Sequence, residues 1–118
     1  MSILTKILAV AVALEFIYIM YLETFATTSE KTSKVFQMDV EELKRDSVNV
    51  LFKNQGVYNG LLSVFILLST FVYDSKIALV ALMSYIIGVA IYGSISSNPK
   101  IILMQGGLPI LTLLSLII

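Results

Sequence analysis

Neither cysteine nor histidine occurs in the chain, and charged residues make up only 14% of it. Without cysteine there is no disulfide, no thiolate nucleophile, no Cys-ligated metal and no S-acylation. Without histidine the commonest general base and metal ligand are gone. Eight Lys and Arg balance eight Asp and Glu, so no positive excess favours nucleic acid. These absences exclude most familiar chemistry. No catalytic set, metal site or cofactor is indicated, and the balance leans away from an enzyme.

Apolar residues are abundant instead: 58% of the 118 residues are hydrophobic. Soluble domains carry roughly 25% charged residues, and this chain could not cover a water-facing surface. Its apolar residues fall in four runs, at about 3–22, 57–73, 77–95 and 101–118. Each is long enough, or nearly so, to cross a hydrocarbon core as a helix, which takes about 20 residues. The predicted fold is an all-α membrane protein, with four transmembrane helices in an up-down bundle forming a single integral membrane domain over 1–118. Asp74, Ser75 and Lys76 turn the chain between the second and third runs. Asn98-Pro99 is a strong breaker between the third and fourth. A secretory signal peptide, with Ala11-Val12-Ala13 near its cleavage site, is an alternative for the start. The apolar run continuing through Phe16-Ile17-Tyr18-Ile19-Met20 weighs against it.

One long polar segment lies between the first two runs. Residues Thr27 to Lys34 read as a solvated loop. Asp39 can then cap a helix, with Glu42 in the capping-box position. Val40, Leu43, Ser47, Val50 and Leu51 recur at helical spacing. This predicts a short amphipathic helix that lies at the membrane surface or extends the second span outward. The loops after spans one and three share a side and carry Lys31, Lys34, Lys44, Arg45, Lys53 and Lys100, whereas the other side has Lys6 and Lys76. The positive-inside rule puts both loops in the cytoplasm and both termini outside. The expected location is the cell membrane, crossed several times.

The costly residues are the polar ones inside these runs. Glu15 interrupts the first, and a carboxylate is the hardest group to hide from water. Glu23 closes that run; Asn54, Gln55, Tyr58 and Asn59 open the second; Tyr92 lies near the end of the third and Gln105 just inside the fourth. Topology places all but Glu15 in one layer beneath the cytoplasmic surface. At 1.5 Å of rise per residue, Asn59 is roughly 9 Å in from Lys53, Gln105 roughly 8 Å in from Lys100, and Glu15 about 12 Å deeper than Glu23. Gln55 and Asn59 are predicted to share an inward face. Ala81, Ser84, Tyr85, Gly88 and Tyr92 form a stripe suited to close helix packing. Asn and Gln in such helices also serve simply as interhelical glue, and Tyr18, Tyr21 and Tyr73 suit interfacial or packing positions.

The segment Glu15-Phe16-Ile17-Tyr18-Ile19-Met20-Tyr21-Leu22-Glu23 resembles a family of small four-span membrane proteins catalogued as domain of unknown function 1304. So do Asn54-Gln55-Gly56-Val57-Tyr58-Asn59-Gly60, Gly88-Val89-Ala90-Ile91-Tyr92-Gly93 and Gln105-Gly106-Gly107-Leu108-Pro109. The family pattern commonly has His where this chain has Phe16, and a single Gly before the Leu-Pro step. The resemblance implies the four-span architecture and marks Glu23, Asn54, Gln55, Tyr58, Asn59 and Gln105 as motif positions. It implies no activity.

The leading expectation is a binding module whose polar layer holds a lipid headgroup or small amphipathic ligand. The alternatives are a proton-coupled transporter using an intramembrane Glu, similar in architecture to small multidrug exporters, an intramembrane enzyme, and a structural or regulatory subunit. Membrane lipids are the expected partners, and a homo-oligomer suits so small a bundle.

Overall fold

Ser2 starts the first helix: its hydroxyl accepts from Thr5 N at 3.1 Å and its carbonyl from Lys6 N at 3.1 Å. Helix α1 runs over Ile3–Met20 and continues into a π turn, Tyr21–Phe25, closed by Ala26 N donating to Tyr21 O at 2.9 Å. The last carbonyls of a helix have no partner within it. Here two downstream threonines supply donors. Thr27 Oγ1 donates to Glu23 O at 2.7 Å, and Thr32 Oγ1 reaches Leu22 O at 3.1 Å and Ala26 O at 2.6 Å. The computed structural model describes all residues, 1–118.

The polar segment is more ordered than its composition predicts. Helix α2 (Glu30–Phe36) forms where a solvated loop was expected, because Ser29 caps it by accepting from Thr32 N at 3.2 Å. It ends at Gln37, which is left-handed at φ 54°. Helix α3 is a single turn, Val40–Leu43. The expected capping box does not form: Asp39 makes no side-chain cap, and Glu42 instead takes Arg45 Nη1 at 2.6 Å. The predicted amphipathic stretch is thus divided between α3 and the first turns of helix α4, Asp46–Leu67, whose start extends the second apolar run outward, one of the two expected arrangements.

Helix α4 extends the second apolar run outward by about three turns. Lys53 and Asn54 are polar but do not oppose a helix, so hydropathy misplaces the start. The helix ends in a second π turn, Leu68–Val72, closed by Tyr73 N on Leu68 O at 2.9 Å. Asp74, at φ 45°, reverses the chain. Ser75 then caps helix α5 (Lys76–Ser96) by accepting from Ala78 N at 3.1 Å. The Asn98-Pro99 breaker acts as expected, with Asn98 Oδ1 accepting from Lys100 N at 3.1 Å. Helix α6 spans Ile101–Ile117, with Pro109 inside it.

The fold is all α-helical. Three helices are long and apolar enough to cross a membrane: Ile3–Phe25, Asp46–Val72 and Lys76–Ser96. Ile101–Ile117 is a shorter apolar helix. The chain divides into two compact units, one of residues 1–13 and 64–118, the other of residues 14–63. In the first, Ala9, Val12, Ile66, Leu79, Met83, Ile86 and Ala90 are buried. Helices α5 and α6 pack closely there: a Cβ on Gly106 would touch Ala90 Cβ at 3.5 Å. Thr5 and Ser115 join the first and last helices of that unit through hydroxyls 2.8 Å apart. In the second unit Phe16, Leu22 and Leu43 are buried, and Phe36 meets Phe52 edge to face at 5.2 Å.

Candidate functional site

Glu23 lies within the first π turn, a geometry with one extra residue per turn that re-aims side chains and is frequent at functional sites. Helix α4 approaches it at Gly56 and Gly60. A Cβ on Gly56 would overlap Thr24 Oγ1, and one on Gly60 would sit 3.0 Å from Met20 Cγ. Only side-chain-free positions permit this approach. Between the two glycines, Asn59 Nδ2 donates to Glu23 Oε1 at 2.6 Å. Glu23 is only 5% exposed, which makes it the most buried ionisable side chain of its unit. A short hydrogen bond to a carboxylate is of the stronger kind.

Lys53 caps the same end of the first helix. Its ammonium donates to Thr24 O at 3.1 Å and Thr27 Oγ1 at 3.2 Å, while Thr24 Oγ1 returns a bond to Lys53 O at 3.0 Å. A cation is favoured at a helix C-terminus. The ammonium therefore serves backbone and hydroxyl oxygens rather than the Glu23 carboxylate.

The other expected site residues do not join this pair. Asn54, Gln55 and Tyr58 are exposed, Tyr58 at 72%. The predicted inward face of Gln55 and Asn59 is turned by one residue, so that Gly56, Asn59, Gly60 and Ser63 look inward. Glu15 is half-buried and makes neither a hydrogen bond nor an ion pair. Tyr92 and Gln105 belong to the other unit. Tyr92 is 72% exposed; Gln105 is half-buried, one turn before Pro109, whose missing N–H leaves the Gln105 carbonyl without its helical donor. The α5 stripe of Ala81, Ser84, Tyr85, Gly88 and Tyr92 is exposed throughout, and the buried face is Leu79, Met83, Ile86 and Ala90.

The model of a family described as protein of unknown function (DUF1304) matches residues 10–117. The chain belongs to the DUF1304 family. The uncharacterized protein YpaA of Lactococcus lactis subsp. lactis (strain IL1403) is 59% identical over 116 residues, covering 98% of this chain and 98% of its own length. No solved structure matches the chain.

Within this DUF1304 chain, two motif segments thus meet, around Glu23 and around Asn59. Sequence reasoning found both residues but missed what fits them together. Gly56 and Gly60, four apart in an apolar helix, are a small-xxx-small signal for close helix approach. Thr24, Thr27 and Lys53 carried no comparable signal, because carbonyl capping depends on the turn's shape. No three His, Cys, Asp or Glu side chains gather as a metal site. The pair offers one carboxylate, oriented by one amide: an acceptor for a hydrogen-bond donor or a cation.

Proposed function

We propose that this protein is a four-span integral protein of the cell membrane that binds a lipid or small amphipathic ligand at its cytoplasmic-side polar layer, without covalent chemistry. The observation that carries this reading is Glu23, a buried carboxylate held by Asn59 on one oxygen and matched by no cation of its own unit. Burying a charge without a partner costs several kcal/mol, and a helix pair needing only adhesion could use an amide. The exposed polar surface of Asn54, Gln55 and Tyr58 supports the same location, since it stands where helix α4 passes from charged to apolar sequence. In this reading Ile101–Ile117 is the fourth span, and the segment 27–53 with the turn at 97–100 faces the cytoplasm.

Native mass spectrometry of the purified protein tests the proposal. A lipid or metabolite should stay bound to the wild-type chain and be lost from Glu23→Gln and Asn59→Leu. Equal retention by all three proteins, or none by any, would sink it.

Proton-coupled transport is the second reading, favoured by one observation. Glu15 shares a helix with Glu23, about 12 Å away along its axis, and has no partner. Uptake of a hydrophobic cation into vesicles, driven by a proton gradient and abolished by Glu15→Gln, would establish it. The binding module remains the simpler reading because it uses only the geometry around Glu23.

A further inference from the structure

Only half of the Glu23 carboxylate is used within the chain. Oε1 takes the Asn59 amide at 2.6 Å, and Oε2 accepts no hydrogen bond. One acceptor atom of a side chain that is only 5% exposed is therefore left without a donor from the chain.

No cation of the chain is paired with Glu23. Lys53 is held by Thr24 O and Thr27 Oγ1. The ion pairs of the chain join Met1 to Asp74, Lys44 to Glu41 and Arg45 to Glu42, and none includes Glu23. A metal ion would need several converging oxygens, whereas Asn59 turns an N–H donor toward the carboxylate. An ammonium needs less: one charge-assisted N–H···O contact to Oε2 suffices.

We propose that Glu23 recognises an amphipathic ammonium, through a contact from the ammonium N–H to Oε2. This rests on the reading of the polar layer as a ligand site and narrows its ligand to one charge. The shared chemistry is an ammonium on an apolar body, whether a lipid headgroup such as ethanolamine or a free alkylamine.

The test uses the full chain in neutral maltoside micelles, with dodecylammonium, dodecanol and dodecyl sulfate as probes of equal tail length, read by native mass spectrometry. Dodecylammonium should bind with one-to-one stoichiometry and the other two at least about tenfold more weakly, as expected for a charge-assisted bond. Glu23→Gln should remove the difference between amine and alcohol. Glu23→Asp should keep the preference at lower affinity, and Glu30→Gln, on exposed helix α2, should behave as wild type. Added phosphatidylethanolamine that displaces the amine where phosphatidylglycerol does not identifies a headgroup as the source. Displacement by neither identifies the free amine. Dodecanol or dodecyl sulfate binding as tightly as the amine, with dependence on Glu23, overturns the ammonium assignment and leaves a ligand site in place. Binding of no probe and no lipid overturns both. The comparison among probes on the wild-type protein decides the matter even if a variant fails to fold.

Discussion

Gly56 lies against Thr24 with no room for a side chain: a Cβ there would overlap Thr24 Oγ1 and stand 3.0 Å from the Thr24 backbone nitrogen. The hydroxyl could rotate away only by giving up its bond to Lys53 O, and the backbone nitrogen cannot move independently. Gly56→Ala should therefore destabilise the protein by about 1–3 kcal/mol, the usual cost of overpacking. Gly88→Ala and Gly107→Ala are the controls, because nothing lies within 4 Å of a Cβ at either. These should unfold within about 0.5 kcal/mol of wild type, or above it. Thermal unfolding in micelles, followed by helical circular dichroism, ranks all three. A Gly56→Ala protein as stable as its controls would contradict the close approach.

The Asn59–Glu23 bond should appear as a coupling. Asn59→Ala and Glu23→Ala each remove one partner of the 2.6 Å contact, so the double variant should lose less than the two singles added together. A coupling of about 0.6–2 kcal/mol is expected for polar pairs between membrane helices. Strict additivity would show that the two side chains do not depend on each other.

Where the sequence was legible, residues with a single strong preference set the structure. The turn read at Asp74, Ser75 and Lys76 and the break read at Asn98-Pro99 stand where helix α5 begins and ends. Hydropathy located the apolar runs but not the helix ends, since Lys53, Asn54 and Gln55 are polar without breaking a helix. Faces were harder still. Helix α5 is apolar around most of its circumference, so pattern alone could not separate the Ser84 and Gly88 side from the buried Leu79, Met83, Ile86 and Ala90 side, two positions along and about 200° around. On helix α4 polarity favoured Gln55 for the inside. Shape won, because only Gly56 lets the backbones approach. The Glu23–Asn59 half of the site was visible from residue type, whereas the carbonyl caps by Thr27 and Thr32 depend on a π turn with no composition signal.

Thr5 and Ser115 make a second testable link, between residues far apart in sequence. Their hydroxyls are 2.8 Å apart and buried, and Ser115 Oγ also reaches Thr112 O at 2.6 Å. Thr5→Val removes a hydroxyl with little change of shape, and Ser115→Ala removes the other. Each alone should cost about 0.5–1.5 kcal/mol, and together they should be non-additive by about 0.6 kcal/mol. Unfolding midpoints of the two single variants and the double variant give the answer. Independent effects would mean that the first and last helices of this unit are joined by apolar packing alone.

The proposed topology can be tested without background, because the chain has no cysteine. Thr28→Cys, Ser97→Cys, Tyr73→Cys and Ile118→Cys each place one thiol at an exposed position. With both long-loop and α5–α6 turns in the cytoplasm, a membrane-impermeant maleimide applied to intact cells should label Tyr73→Cys and Ile118→Cys but not Thr28→Cys or Ser97→Cys. Opening the membrane should make all four react. Ile118→Cys is the decisive position. Helix α6 has 17 residues, a length of about 25 Å at 1.5 Å per residue, slightly less than the roughly 30 Å of a hydrocarbon core. Local thinning of the bilayer can absorb a mismatch of that size at a cost of fractions of a kcal/mol per Å, so the helix should still cross. If Ile118→Cys instead labelled with Ser97→Cys, helix α6 would return to the cytoplasmic side and the fold would have three spans. Gln105 would then lie at the membrane surface rather than inside it, and the polar layer would be confined to the neighbourhood of Glu23 and Asn59.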